Sequence, residues 1–321
     1  MPLVSIIIPA FNAAAVIGKA VASAQAQGEG RIEIIVVDDA STDGTAAVVE
    51  DLAARDARVR LLRMARNGGP GAARNAGLAA AGGEWVALLD ADDRYHPQRL
   101  QVLLQAGAAH GAQLVADNLW LVRVLDGRRI GPMIPADWLG KPSVLSPAAF
   151  VKGNIQTARC RGIAYGFLKP IIRRDFLDRT GVRYDDLRFS EDYILALRCL
   201  IAAARYVILP DALYDYAVGA PGLTLRHSAD DLARLVRLER SLLSNPGVEP
   251  GSPLHQAMRR HIRSVELALG WFRFAQAIKR RDPVAAFSQV LESPAHFRHI
   301  GREGLRAVSR TLIQGRRRNH A

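Results

Sequence analysis

The amino-acid sequence predicts an α/β protein: a doubly wound, mostly parallel sheet flanked by helices, with a helical appendage towards the C-terminal end. Three observations carry this expectation. Short β-branched runs alternate with Ala-rich helical stretches over roughly the first 110 residues. Polar clusters recur where those runs end. Beyond residue 232 the strand signals stop and apolar residues recur at helical spacing.

In order, residues 3–9 (Leu-Val-Ser-Ile-Ile-Ile-Pro) form the first buried strand, and residues 12–27 an Ala-rich helix. Residues 32–37 are a second strand, ending in Asp38-Asp39. Ser41-Thr42-Asp43-Gly44 then provides capping residues for a helix reaching Arg55. Residues 59–64 are a third strand, the loop Asn67-Gly68-Gly69-Pro70-Gly71 follows, and a helix covers residues 72–80. A fourth strand, residues 84–89, delivers Asp90-Ala91-Asp92-Asp93, and residues 97–110 are helical. From 113 to 221 the pattern is less regular, with strand-like pieces at 119–125, 163–172 and 206–209 and a helix from about Ser190. Leu254, Met258, Ile262, Val265, Leu269 and Phe272 mark one apolar face of a late helix that Asp282-Pro283 ends. The expected division is a domain over 1–232, with a ligand half at 1–112 and a second half at 113–232, and a basic helical region at 233–321.

Composition sets the outer limits. The 321 residues are 49% apolar, enough for a substantial core. No apolar run reaches the length of a membrane span, and the opening Met1-Pro2-Leu3-Val4-Ser5 has no charged leader, so no signal peptide is expected. The two cysteines, Cys160 and Cys199, have no metal-type spacing and suggest a reducing, cytoplasmic compartment. The net charge of +12 is uneven: residues 241–321 hold 14 Lys and Arg against 5 Asp and Glu. Such a surplus suits nucleic acid, an anionic membrane surface or phosphorylated substrates, or is simply a solvated face ending in Arg316-Arg317-Arg318.

Ligands bind at the carboxyl ends of the strands in doubly wound sheets. Asp38-Asp39, the glycine-rich loop and the acidic cluster all fall there. Carboxylates as close as Asp90, Asp92 and Asp93 repel one another unless a cation intervenes, and hard cations such as Mg²⁺ or Mn²⁺ prefer oxygen ligands. The other account of the cluster is an acidic cap on the following helix. Asp39 suits a nucleobase N–H or a ribose, or else a helix cap. Arg74, just past the glycines, suits a base or phosphate, or else a surface ion pair. The glycine loop is neither a Walker loop nor a dinucleotide fingerprint, since no Gly-Lys-Ser/Thr follows it and the first strand ends in Pro9-Ala10-Phe11-Asn12. Glu191-Asp192 could supply a base for an acceptor hydroxyl, although locally two first-turn acids favouring the helix dipole account for it better. His227 is either structural or a contact to metal or diphosphate.

Together, residues 4–12, 33–45, 67–77 and 88–93 resemble the family 2 glycosyltransferases, whose fold is termed GT-A. The likeness is dense over residues 3–104, thins to Glu191-Asp192 and His227, and stops near residue 232. It resembles in style the succinoglycan-type enzymes of bacterial exopolysaccharide synthesis. The resemblance implies that Pro9, Ala10, Phe11, Asn12 and Asp39 line a nucleotide pocket, with Asp39 at the base and Arg74 helping to hold the nucleotide. Asp90 and Ala91 would lie by the donor ribose or sugar. Asp92, with His227 nearby, would hold Mn²⁺ or Mg²⁺, and Asp192 would be the catalytic base. It implies an inverting, metal-dependent hexosyl transfer from a nucleoside-diphosphate sugar, such as UDP-glucose, to a glycan or lipid-diphosphate-linked acceptor. The expected setting is cytoplasmic, with peripheral contact at the inner face of the membrane through the basic region, and no nucleic acid partner. No Gln-x-x-Arg-Trp segment is present, which argues for one sugar per binding event. Two other functions compete: a nucleotidyltransferase acting on sugar phosphates, and a non-catalytic protein binding an anionic surface.

Overall fold

The computed structural model of the chain describes residues 3–155, 163–219, 228–291 and Gly301. The first half alternates as expected: β1 (Val4–Ala10), α1 (Ile17–Gln25), β2 (Ile32–Asp38), α2 (Thr45–Arg55), β3 (Val59–Arg63), α3 (Gly69–Ala80) and β4 (Trp85–Leu88). The second half continues with β5 (Arg94–Tyr95), α4 (Arg99–His110), β6 (Leu114–Arg123), β7 (Arg129–Pro132), β8 (Ser143–Leu145), α5 (Pro147–Gly153) and β9 (Ile171–Arg173). It closes with α6 (Arg174–Thr180), α7 (Glu191–Ile201), β10 (Tyr206–Val218), α8 (Ala229–Leu242), α9 (Pro253–Lys279) and α10 (Pro283–Leu291).

One ten-stranded sheet runs β3-β2-β1-β4-β9-β6-β10-β5, with β7 beside β6 and β8 beside β10. The β3-β2-β1-β4 half is parallel. Its central strands are buried on both faces, as the unbroken Ile6-Ile7-Ile8 and Ile34-Ile35-Val36-Val37 runs require. β9 is antiparallel to both β4 and β6, and β6 and β10 are parallel, so the sheet is mixed beyond β4. Two reversals restore direction, so β4, β6 and β10 all deliver their carboxyl ends to one edge.

Several boundaries differ from expectation, each for a local reason. The first helix starts at Ile17 rather than residue 12, because Asn12 adopts a left-handed φ of 49° and the amides of Asn12, Ala13 and Ala14 are bound by Ser41 Oγ, Thr45 Oγ1 and Asp43 Oδ2. Ser41 and Thr42 therefore serve the β1 loop instead of capping α2. Asp43 accepts from the Thr45 amide at 3.0 Å there. The strand expected at 163–172 shrinks to β9, since Ala164 is left-handed and Gly166 donates its amide to Asn154 Oδ1 in a short 3₁₀ turn over Tyr165–Phe167. The strand expected at 206–209 instead runs to Val218, passing Pro210 through irregular register.

The core is continuous from the sheet into the late helices, where Leu254, Met258, Ile262, Val265 and Leu269 are buried as one face of α9. Glu239 of α8, fully buried, accepts from Tyr193 Oη of α7 at 2.7 Å and lies 2.9 Å from His261 Nδ1 of α9. Gly247 sits against the Ile201 carbonyl at the far end of α7, whereas His261 meets Tyr193 in its first turn. Helix α9 thus runs antiparallel to α7, and its second half extends beyond the α7 N-terminus.

Candidate active site

The residues just beyond β4 separate into three electrostatic situations. The Leu89 amide still bonds the Ile7 carbonyl, so the strand is held to its last apolar residue. Asp90 then accepts from Arg74 Nη2 at 2.8 Å and lies 2.8 Å from Lys169 Nζ. Burial works against the Asp90 charge, but Lys169 and Arg74 outweigh it and hold the carboxyl well below the usual carboxylate range. Asp93 is buried; it accepts from Tyr214 Oη at 2.6 Å and the Ala217 amide at 2.7 Å, and burial with the neighbouring acids pushes its carboxyl well up. It ties the loop to β10 and turns away from a cation role. Asp92 is exposed and makes no ion pair among the described residues, yet desolvation by the surrounding walls and the Asp90 charge raise its carboxyl.

Opposite the loop stands the first turn of α7. Ser190 takes a left-handed φ of 62°, and Glu191 and Asp192 follow it. Glu191 accepts from Arg74 Nη1 at 2.7 Å. Asp192 accepts from Lys169 Nζ at 2.6 Å and from Tyr184 Oη at 3.1 Å, with Arg74 3.8 Å away. The result is a row of alternating charge, Glu191–Arg74–Asp90–Lys169–Asp192. Burial works against the charges of Arg74 and Lys169, but Asp192, Asp90 and Glu191 outweigh it for Arg74, and Asp192 and Asp90 do so for Lys169. Buried charges persist where they are paired in this way. The two sides of the row come from segments about 100 residues apart in sequence. They are joined by the Asn75 side chain, which both donates to and accepts from the Tyr184 backbone at 2.9 Å, and by Gly71, where a Cβ would stand 2.8 Å from the Asp185 carbonyl. Arg74 also lies 5.4 Å from the Tyr184 ring.

The expected nucleotide residues line the same edge. Asp39 is buried, with its carboxylate accepting from the amides of Gly68 and Gly69 at 2.7 and 2.8 Å and its own amide bonding the Ala10 carbonyl. Phe11 is half exposed, and Asn12 Oδ1 accepts from the Thr42 amide. Ala91 is half-buried beside Asp90. His227 and Cys160 lie outside the described residues. Sequence reasoning missed Lys169, Tyr184, Asn75 and Tyr214. The signal available for Lys169 was only a cation between Leu168 and Pro170, and that is unremarkable by itself.

For a divalent cation, the donor set is suggestive but spare. Among the described residues no three His, Cys, Asp or Glu side chains converge into a cage. Asp92, in contrast to Asp90 and Asp93, is unpaired and electrostatically in need of a cation. That fits a Mg²⁺ or Mn²⁺ that keeps waters and diphosphate oxygens as its other ligands.

Three comparisons bear on this geometry. Residues 5–159 match the family model described as glycosyl transferase family 2. The succinoglycan biosynthesis protein ExoO of Rhizobium meliloti (strain 1021) is 34% identical over 94% of this chain and 84% of its own length. A crystal structure of S. aureus TarS in complex with UDP-GlcNAc superposes with a TM-score of 0.64 at 17% identity, covering 90% of each chain. The mannosyltransferase PcManGT from Pyrobaculum calidifontis, in complex with GDP-Man and Mn²⁺, gives 0.55 at 21% identity over 98% of this chain and 81% of that one. These two likenesses establish the GT-A architecture. With ExoO matched over nearly its whole length, the chain belongs to glycosyl transferase family 2.

Proposed function

We propose that the protein is an inverting, metal-dependent transferase that moves one sugar from a nucleoside-diphosphate donor, a UDP-sugar, to a hydroxyl of a glycan or lipid-linked acceptor in exopolysaccharide synthesis. The observation that carries this reading is the charge row joining Asp90 to Asp192. It puts a donor-side carboxylate and a candidate base at one strand edge. Arg74, buried and shared between Glu191 and Asp90, ties the first turn of α7 to the donor-side loop. Asp39 and the segment Pro9, Ala10, Phe11 and Asn12 take the base, Asp90 and Ala91 the ribose or sugar, and Asp92 the cation. A cation there supplies positive charge to the leaving diphosphate. The UDP-GlcNAc and Mn²⁺ named for the two structural neighbours, and the pathway named for ExoO, support the same reading.

The chemistry is one in-line displacement. Asp192 accepts the proton of an acceptor hydroxyl as its oxygen bonds the anomeric carbon. The bond from that carbon to the diphosphate oxygen breaks, and the leaving group keeps the electron pair. One displacement inverts the centre, giving a β-linkage from an α-linked donor. The test is a panel of UDP-sugars (UDP-glucose first), GDP-sugars and dTDP-sugars, scored for Mn²⁺-dependent release of nucleoside diphosphate. Asp92→Asn should abolish the metal-dependent signal while the melting temperature holds. Equal, metal-independent turnover in that variant would sink the metal assignment, and pyrophosphate release from a nucleoside triphosphate would favour a nucleotidyltransferase.

The reading extends to a peripheral contact with an anionic membrane at the cytoplasmic face. No helix among the described residues is long and apolar enough to cross a bilayer. The C-terminal end of α9 and the packed α10 nevertheless expose Ile278, Val284, Phe287 and Leu291, close in sequence to Lys279, Arg280 and Arg281. Basic and apolar groups together suit an anionic lipid surface. Flotation with phosphatidylglycerol vesicles should be lost when the exposed Lys279, Arg280 and Arg281 are all changed to Glu, which leaves the buried face of α9 intact; unchanged flotation would refute the contact.

A further inference from the structure

We propose that Lys169 is a positioning residue for sugar transfer: one buried ammonium that sets the donor-side Asp90 and the acceptor-side Asp192 in register. The inference rests on the reading of Asp192 as the base and adds a component that no motif marks.

Lys169 is 4% exposed, a burial that lysine seldom accepts without partners. Its two ends are fixed by independent means. At the backbone end, the Lys169 carbonyl accepts from Arg99 Nη2. Arg99 is itself fully buried, donates from Nε and Nη2 to Asp117 Oδ1 at 3.0 and 2.8 Å, and its guanidinium lies 4.3 Å from the Tyr95 ring and 5.1 Å from the Tyr214 ring. None of these contacts uses the Asp90 or Asp192 carboxylate, although Tyr214 Oη also accepts from the Asp90 amide at 3.2 Å. At the other end Nζ reaches Asp90 Oδ2 at 2.8 Å and Asp192 Oδ2 at 2.6 Å. A side chain anchored behind and bridging in front has little freedom to follow a ligand, so it orients its partners.

Its removal would have a specific effect. Asp90 would keep Arg74, but Asp192 would keep only Tyr184 Oη at 3.1 Å and a distant Arg74 at 3.8 Å. The alternating row would break at one link, leaving the two carboxylates joined only through Arg74 Nη2, 2.8 Å from Asp90 and 3.8 Å from Asp192. The base would then move relative to the donor, and small misplacements of a reacting group cost about 100-fold in rate.

The experiment uses the full chain and the nucleotide-sugar panel above. Lys169→Met should lower kcat about 100-fold, with UDP affinity by titration calorimetry little changed and the melting transition still cooperative. Added to Asp192→Asn, the same change should cost almost nothing more, because the two residues act as a unit. A merely structural lysine would lower the melting temperature and leave the rate constants coupled to folded fraction alone. If the methionine variant does not fold, Lys169→Gln, which keeps a hydrogen-bond donor without the charge, carries the same comparison. Wild-type kcat in a folded Lys169 variant, or effects that simply add to those of Asp192→Asn, would overturn the proposal while leaving the base assignment standing. Full activity in Asp192→Asn would instead overturn the base assignment and this inference with it.

Discussion

Asp93 shows how neighbouring carboxylates of identical chemistry divide their work. Its oxygens are taken up by Tyr214 Oη and the Ala217 amide, outside the charge row that holds Asp90. Asp93→Ala should therefore behave as a stability variant. Two donors lose their acceptor, one of them a fully buried phenol, at about 1–3 kcal/mol each; chemical denaturation measures this, and a midpoint equal to wild type would count against it. Asp92, two atoms of backbone logic away, is predicted to do the reverse. Asp90, Asp92 and Arg74 could be expected at one edge because strand ends and helix starts lie there by topology, whereas Asp192 was singled out only by the family resemblance. The sequence could not separate Asp93 from Asp92, since that choice is made by Tyr214, 121 residues on. Lys169 was hidden for the same reason: both carboxylates it bridges, and the Arg99 that fixes it, are far away in the chain.

At the level of elements, β-α alternation in the first half was readable because its central strands carry unbroken apolar runs, Ile6-Ile7-Ile8 and Ile34-Ile35-Val36-Val37. The second half was harder. β9 has three residues and β10 bends past a proline, so neither shows a clean period. The late helices were visible from their apolar face, but what fastens them was not. Glu239 of α8 is held by Tyr193 of α7 and His261 of α9, so one buried carboxylate joins three helices. Glu239→Ala should cost about 3–5 kcal/mol, since it strands a buried phenol and a buried imidazole. The loss should appear as a lower thermal midpoint with UDP binding retained in the folded fraction. A change below about 1 kcal/mol would show that the three helices are fastened mainly by apolar packing.

At the scale of the whole molecule, the sheet is assembled out of sequence order. Both flanks of β9 are made before it: β4 ends at Leu88 and β6 at Arg123, while β9 begins at Ile171. A fragment ending at residue 160 would leave the edges of β4 and β6 bare, and bare apolar edges pair with other chains. Such a fragment should run as soluble aggregates by light scattering, where a clean monomer would contradict the idea. The same arrangement has a consequence for synthesis. Some 80 residues separate the end of β4 from β9, which at ordinary translation rates of about 5–20 residues per second leaves one edge of the strand carrying the acidic loop bare for about 4–16 seconds in every nascent chain, its other edge being held by β1. The strand that precedes the acidic loop thus waits with one open edge during synthesis, and chaperone capacity at the ribosome bears on yield there.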